Sequence, residues 1–273
     1  MEFSPYANAS LYDDVFESKR ADCDYYVALA RKHRSRRILE RFCGTGRILL
    51  TLFQRLTQED CLECKPEELH CCGLDLEPTM LEYLTGKVAS LPRTDCYSVE
   101  AIVGDVTQFQ PPDRQFDLII DGGGSFHLLA SQREQRDALL CACSLLSESG
   151  HYVLDLWNPN SEWLAQCSKR EVLELSHIDN GADGSIVVRK IASAYSSSNQ
   201  RLSRHIFVER YDKDGRQAGS WYQHETFRII YPGELTLLLG AAGLNLIELK
   251  GSYASDTFDD HARRMIATCD RKQ

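Results

Sequence analysis

The sequence predicts an α/β fold: a mostly parallel sheet of seven strands that ends in a C-terminal antiparallel hairpin, with a separate antiparallel β-sheet inserted before it. Three observations lead there. Between Ile38 and Trp157, short apolar runs alternate with helical patterns at a rhythm that calls for right-handed crossovers and parallel pairing. After about Trp163 the texture changes to four strand-like runs with the turn signals Asn180-Gly181 and Asp214-Gly215 between some of them, an antiparallel meander. Finally, Leu244 to Lys250 and Arg264 to Cys269 read as a strand pair.

Taken in order, Asp22 to Lys32 is a helix following an aromatic N-terminal segment with Tyr6, Tyr12 and Phe16, the two together forming a cap. The first strand starts at Ile38 and runs into Cys43-Gly44-Thr45-Gly46, after which Ile48, Leu49, Leu52 and Phe53 set a helical pattern to about Leu56. Leu69 to Leu76 is the second strand, and Glu77 to Leu84, with Pro78 early, is the next helix. Ser98 to Val103, Phe116 to Ile120 and His151 to Trp157 are the third, fourth and fifth strands, with a helix over about Gln132 to Leu146. The meander comprises Arg170 to Ile178, Ser185 to Tyr195, Arg201 to Tyr211 and Gly219 to Ile230. It is too long for a simple connection and is expected to lie over the ligand crevice or to form an oligomer contact. Pro232 to Ala242 is a helix stopped by Gly243. The expected division is residues 1–165 for cap and core, 166–230 for the inserted sheet and 231–273 for the elements completing the core.

With 273 residues, 43% of them hydrophobic, the chain can bury a substantial core. Forty acidic against 31 basic residues give a net charge of -9, which argues against nucleic acid as partner. The one basic run, Arg31 to Arg37, reads as a solvated helix end. No stretch of about 18 apolar residues and no basic-then-apolar start is present, so neither a membrane span nor secretion is indicated, and a cytoplasmic location is expected. Eleven scattered cysteines suit reduced thiols. Cys61, Cys64, Cys71 and Cys72 cluster locally, but their spacing matches no standard pair of zinc knuckles, and no metal is expected.

In a parallel sheet, ligands bind beyond the C-terminal ends of the strands, where Asp75, Asp105, Asp121 and Trp157 fall. Two glycines at the first turn let backbone approach a ligand, and the next helix offers unpaired N–H groups. A carboxylate at Asp75 can accept both hydroxyl hydrogens of a ribose. One at Asp105 can accept an exocyclic amino group, with Val106 and Phe109 against the ring.

These residues, in this order, resemble the class I S-adenosylmethionine-dependent methyltransferases, more narrowly their small-molecule branch. ILERFCGTGR looks like the cofactor turn, GLDLEPTML the ribose segment, GDVTQF the adenine segment, FDLIIDGGGSFHLL the fourth-strand motif and LLSESGHYVLDLWNP the fifth. The tail RIIYPGELTLLLGAAGLNLIELKGSY is similar to the family's last helix and terminal hairpin. The resemblance implies a Rossmann-like core. It places Glu40, Cys43, Gly44 and Gly46 around the methionine part of the cofactor, Asp75 and Leu76 at the ribose, Asp105 and Val106 at the adenine, and Asp121 beside the methyl-transfer crevice. Tyr12, Tyr25 and Tyr26 match the aromatic cap, with Tyr12 and Tyr25 taken as cofactor contacts. Phe42 departs from the family's usual glycine or alanine, and its ring either crowds the cofactor or turns into the core.

The activity implied is methyl transfer from S-adenosylmethionine to N, O or C of a small molecule, releasing S-adenosylhomocysteine. Three rivals stand beside it: a nicotinamide-dependent dehydrogenase, disfavoured by the incomplete G-x-G-x-x-G; a catalytically silent, methyltransferase-like binding protein; and a peptide or protein methyltransferase. If the acceptor must lose a proton, His127 is the first candidate base, against the plainer account of a histidine hydrogen-bonded to backbone at a helix start. His224 and Glu225, one residue apart, face opposite sides of a strand, so only one reaches a substrate; His224 is taken as the candidate. Phe126 and Trp157, with Trp221 and Tyr222, are candidate walls for an acceptor. A homo-oligomer is compatible with all of this.

Overall fold

The computed structural model describes residues 9–16, 21–58, 68–91, 96–111, 115–168, 174–180, 184–254 and 257–272. In chain order its elements are α1 (Ala9–Phe16), α2 (Ala21–Lys32), β1 (Arg37–Arg41), α3 (Arg47–Thr57), β2 (Leu69–Asp75), α4 (Pro78–Ala89), β3 (Tyr97–Val103), β4 (Phe116–Asp121), a 3-10 turn (Ser125–Leu128), α5 (Gln132–Leu145), β5 (Leu146–Trp157), α6 (Ser161–Ser168), β6 (Glu174–Asn180), β7 (Ile186–Ser196), β8 (Arg201–Tyr211), β9 (Gln217–Arg228), α7 (Pro232–Ala241), β10 (Leu244–Lys250) and β11 (Arg264–Arg271). The main sheet has the order β10-β11-β5-β4-β1-β2-β3, with β11 antiparallel to both of its neighbours. The inserted sheet is a four-stranded antiparallel meander, β6-β7-β8-β9. Strand β5 begins five residues before His151, since Gly150 lets it pass β4: a Cβ there would meet the Phe116 carbonyl oxygen at 2.7 Å.

Both faces of the main sheet are covered, which is why its central strands are almost continuously apolar. Alternation along β1 sends Ile38 to one side and Leu39 to the other. Ile38, Leu118, Ile120 and Val153 pack with Tyr26 and Val27 of α2, Leu49 and Leu52 of α3 and Leu84 of α4. Leu39, Ile119, Tyr152 and Leu154 pack with Ala138 and Leu139 of α5 and Leu235 and Leu239 of α7. Helix α5 starts at a capping box in which Ser131 and Glu134 satisfy each other's backbone N–H groups.

One charged pair is sealed inside this core. Arg41 and Asp121 end the neighbouring parallel strands β1 and β4, are direct partners in register, and are both fully buried. The Arg41 guanidinium grips the carboxylate in a fork, Nε to Oδ1 at 2.7 Å and Nη2 to Oδ2 at 2.5 Å. It also donates to the Ala138 carbonyl at 2.7 Å, and the Tyr152 hydroxyl donates to Asp121 Oδ2 at 2.7 Å. Burial of this kind is tolerable only when the charges have hydrogen-bond partners on several sides, as here.

Phe42, directly after Arg41, has a left-handed φ of 57° and packs its ring against the core face that holds Leu39 and Leu74. The ring therefore turns into the core. Of the cysteine cluster, Cys61 and Cys64 lie outside the described residues, while Cys71 and Cys72 are buried on opposite faces of β2. No group of three or more metal-ligating side chains occurs among the described residues, and none of their helices is long and apolar enough to cross a membrane.

Removing one partner of the buried pair strands the other's charge. Asp121→Ala is expected to cost about 3 to 5 kcal/mol in urea unfolding; a loss within ~0.5 kcal/mol, the range of an ordinary surface change, would contradict the pair's role in the core.

Candidate active site

The turn after β1 is built from backbone that only glycine adopts easily. Gly44 and Gly46 have φ values of 53° and 78°, and a Cβ on Gly46 would meet Leu84 at 2.4 Å. The Gly44 N–H donates to Asp75 Oδ2 at 2.7 Å, and the Glu77 N–H donates to Oδ1 at 3.0 Å, so the carboxylate that ends β2 faces the turn. Burial raises the Asp75 carboxyl above its ordinary value, with the amides of Glu77, Gly44 and Leu76 pulling the other way. Glu40, on the α3 side of β1, is buried and accepts from the Leu49 N–H at 2.8 Å. Burial pushes its carboxyl up to about 8, against the opposing pull of Arg47 and the Leu49 amide. Cys43 is buried beneath the turn, and burial raises its thiol well above the usual range.

Helix α1 closes over this turn. A Cβ on Gly44 would stand 4.0 Å from the Tyr12 ring. Asp13 is gripped by the Thr45 hydroxyl and by Lys87 of α4, and Lys87 also donates to the Thr45 carbonyl at 3.2 Å. Toward β3, Leu76 and Val103 are 69% and 57% exposed, an open apolar strip along the strand ends. Asp105 turns its carboxylate to Thr107 and Gln108; burial acts to raise its pKa, and these hydrogen bonds bring it below the ordinary value. Val106 is buried beside it.

On the other side of the turn, a cavity of about 730 Å³ separates the strand ends from the inserted sheet. Its floor includes Gly123, Gly124 and Trp157, its near wall Tyr12 and Arg47, and its roof alternate residues of the inserted strands: Arg189 and Ile191 from β7, Arg204, Ile206 and Val208 from β8, and Trp221, Gln223, Glu225 and Phe227 from β9. Register places Ser193, Arg204 and Glu225 in one cross-strand row. The Arg204 guanidinium lies 5.4 Å over the Trp157 ring. Under the floor, buried Asp155 accepts from Arg264 Nε at 2.5 Å, from the Tyr253 and Tyr26 hydroxyls at 2.5 and 3.1 Å, and from the Gly123 N–H at 3.2 Å. Arg47 is fastened to Asp22. The base of the inserted sheet is tied to the core by Arg228, which reaches Gln135 at 2.8 Å and Glu234 at 2.6 Å.

Five sequence-based site residues are elsewhere. Asp121 spends its carboxylate on Arg41 and Tyr152 inside the core, away from the crevice. Phe126 is fully buried in the core and is not an acceptor wall. Tyr25 packs its ring between Tyr26 and Tyr253 rather than over the glycine turn. His224 is on the outer face of β9, stacked on His205 with ring centroids 4.4 Å apart and bonded to Ser203; its neighbour Glu225 is the one that faces the cavity. His127 is fully buried with both ring nitrogens engaged: Nδ1 bonds the Arg228 carbonyl oxygen at 2.8 Å and Nε2 accepts the Trp157 N–H at 3.1 Å. Burial lowers its pKa to about 4, and with both ring nitrogens occupied inside the fold it has no free lone pair to take a proton from an acceptor. Trp157 does line the cavity.

Residues that the sequence did not single out include Arg41, Asp155, Arg204, Arg189, Tyr253 and Arg264. Arg41 and Asp155 carried a signal, a charge set inside an otherwise apolar strand. The others gave none, because the place of Arg189 and Arg204 depends on how the inserted sheet folds back and that of Tyr253 and Arg264 on where the C-terminal hairpin docks.

Residues 38–150, from β1 into β5, match a family described as a methyltransferase domain. No curated protein matches the chain. Among solved structures, the chain is similar over 99% of both lengths to the CcbJ methyltransferase from Streptomyces caelestis (TM-score 0.74, 22% identity). It is similar over 96% of its length to CalS10, an amino pentose methyltransferase from Micromonospora echinaspora (97% of that chain, TM-score 0.69, 17% identity). The sugar N-methyltransferase KedS8 from Streptoalloteichus is comparable, with 96% and 93% covered, a TM-score of 0.68 and 18% identity. The chain thus has the fold of S-adenosylmethionine-dependent methyltransferases, with a match to a methyltransferase domain over residues 38–150.

The buried His127 makes stability depend on pH. Its folded pKa of about 4 is below the ordinary 6.5, so between these values the unfolded chain binds a proton that the folded chain does not, and stability is lost as pH falls through that window. The loss attributable to His127 is of the order of 3 kcal/mol at ~1.4 kcal/mol per unit. His33 and His151, also lowered by burial, add in the same direction. Urea unfolding of wild type and His127→Gln at two pH values bracketing the window isolates the effect. The wild type is expected to lose more stability on acidification; equal losses would remove His127 as the cause.

Proposed function

We propose that the chain transfers the methyl group of S-adenosylmethionine to a nitrogen or oxygen atom of a small molecule held in the cavity under the inserted sheet. The observation that carries this reading is the cavity itself, which begins where the glycine turn ends and has a size of about 730 Å³, inside the ~300 to 1,000 Å³ common for small-molecule sites. An amino pentose methyltransferase and a sugar N-methyltransferase share the fold, which supports a compact polar acceptor.

The strand ends fit the cofactor. Gly44 and Gly46 leave the turn open to a close ligand, Asp75 offers two carboxylate oxygens to ribose hydroxyls, and the exposed Leu76 and Val103 provide an apolar surface for a flat base. Glu40 suits a cationic group near the turn, and Tyr12 covers it. The core-facing ring of Phe42 leaves the turn clear, which favours an active enzyme over a silent binding protein.

S-adenosylmethionine, when bound, supplies a sulfonium-activated methyl group. The chain's own work is then to hold the acceptor in line and keep water away; proximity and orientation can supply ~7 to 11 kcal/mol of the barrier. Trp157, Trp221 and Phe227 confine the acceptor. Glu225 faces the same space, close enough that its charge raises the Tyr12 pKa, second to burial, and it is the group placed to take a proton from an acceptor amine or hydroxyl. The inserted sheet acts as a fixed lid.

Calorimetric titration should show uptake of S-adenosylhomocysteine and none of NAD; a well-folded chain that takes up no S-adenosylhomocysteine would overturn the reading. Asp75→Ala is expected to weaken that uptake by about 1.5 to 3 kcal/mol, and unchanged affinity would remove the ribose role.

Glu40 gives the binding a pH signature. With its carboxyl near 8 in the free protein, pairing with the cofactor's ammonium lowers that value and releases a proton near neutrality, so affinity rises with pH between roughly 6 and 8. Titrations in buffers of different ionisation enthalpy should detect close to one proton released in the wild type and almost none in Glu40→Gln. Equal release in both would exclude Glu40.

A further inference from the structure

We propose that Asp13 is a positioning residue for cofactor exchange: by bridging Thr45 and Lys87 it holds α1 shut over the amino-acid end of the cofactor, and the opening of this clasp sets the rate at which S-adenosylhomocysteine leaves. This rests on the methyltransferase reading and adds to it which part of the fold must move, and against what hold.

Thr45, between the two glycines of the turn, is buried, and both its hydroxyl and its carbonyl are claimed from outside the turn. The hydroxyl donates to Asp13 Oδ1, and the carbonyl oxygen accepts from Lys87 Nζ at 3.2 Å. Lys87 also pairs with Asp13 Oδ2, so α1, the turn and α4 close a ring of charge-assisted hydrogen bonds. The Asp13 and Lys87 side chains are 17% and 29% exposed, so water competes with the pair only in part.

Two of the three members are fixed. A Cβ on Gly46 would meet Leu84 at 2.4 Å, so the turn is pressed against α4, and Leu84, fully buried in the core, holds the helix face that carries Lys87 three residues on. Helix α1 is different. With eight residues it is well below the ~12 to 15 at which a helix holds on its own, so its place depends on what it docks to.

Tyr12 is next to Asp13 in the chain and moves with it. Its ring lies over Gly44, 4.0 Å from a Cβ built there. Its hydroxyl is held above the ordinary phenol value, first by desolvation and next by Glu225, with Arg47 pulling the other way and Asp75 and Glu40 adding smaller pushes. Tyr12 thus covers the ground shared by Glu40, Gly44 and Asp75, which on the methyltransferase reading holds the amino-acid and ribose end of the cofactor. At the base end Leu76 and Val103 remain exposed. The clasp therefore gates one end of the cofactor and not the other.

Two measurements on the full chain test this. In the ligand-free chain, hydrogen exchange of the α1 amides reads the clasp directly: Asp13→Ala and Lys87→Met are expected to quicken it about tenfold, and Lys87→Arg to leave it near the wild-type rate. Alanine is the strongest helix former, so faster exchange in Asp13→Ala does not come from lost helix propensity. Release of bound tritiated S-adenosylhomocysteine, chased with excess unlabelled compound, is expected to quicken about tenfold in the same two variants. Adenosine, which lacks the amino-acid end, should bind all three variants as it binds the wild type. Unchanged α1 exchange in Asp13→Ala, unchanged release, or an equal weakening of adenosine and S-adenosylhomocysteine would overturn the proposal. A wild type that takes up no S-adenosylhomocysteine sinks the cofactor reading and the gate with it; normal uptake with release indifferent to Asp13→Ala removes the gate alone and leaves the cofactor reading standing.

Discussion

The buried pair of Arg41 and Asp121 is the constraint from which the rest of the site follows. It joins the ends of β1 and β4, the two strands at the centre of the sheet, at the point where successive connections run to opposite sides. Two of the loops beside the crevice depart from those two ends: the glycine turn from Arg41 and the Gly122–Gly124 loop from Asp121. With five guanidinium donors distributed among the carboxylate, carbonyls and Tyr152, the pair has essentially one low-energy geometry. That fixes how the two loops face each other more firmly than apolar packing alone, which tolerates sliding.

Around this fixed centre, a second level of organisation closes the site from outside. Helix α1 is fastened to the turn and to α4 through Asp13, and the inserted sheet is fastened to α5 and α7 through Arg228. Both closures use charged hydrogen bonds, with Arg228 buried and Asp13 and Lys87 partly so, and the cavity they border is lined by Trp157, Trp221 and Phe227 together with charged side chains.

The fold was readable because it is dictated locally. Alternating periodicities, Gly44 and Gly46 at a turn that needs positive φ, and acids at the ends of β2 and β3 can each be recognised within a dozen residues. Of the residues expected around the cofactor, Gly44, Gly46, Asp75 and Asp105 stand at the strand ends for the same reason, while Tyr25 and Asp121 are taken up by packing and by the core pair. The acceptor side was less legible. His127 and Phe126 follow a strand end, where chemistry is expected, yet the chain dives back under the sheet directly after Gly124, and both are consumed by packing. At β9 the alternation of sides was evident but not its phase, so His224 was favoured and Glu225 is the residue that faces inward. The phase is set by docking against α5 and α7, a long-range event that no local pattern records.

The alternation in the inserted sheet has a consequence for how such a site diversifies. Because neighbouring residues of β8 and β9 belong to different worlds, one facing a ligand and the next facing water, the wall can be rewritten without touching the outer surface. Equally, the short turn at Asp212 to Arg216, closed by the Asp212 N–H on the Arg216 carbonyl at 2.8 Å, acts as a chemical selector. One residue added there would exchange Glu225 for His224 and Gln223 for Tyr222 along β9, replacing the one carboxylate this strand turns to the cavity by an imidazole in a single step.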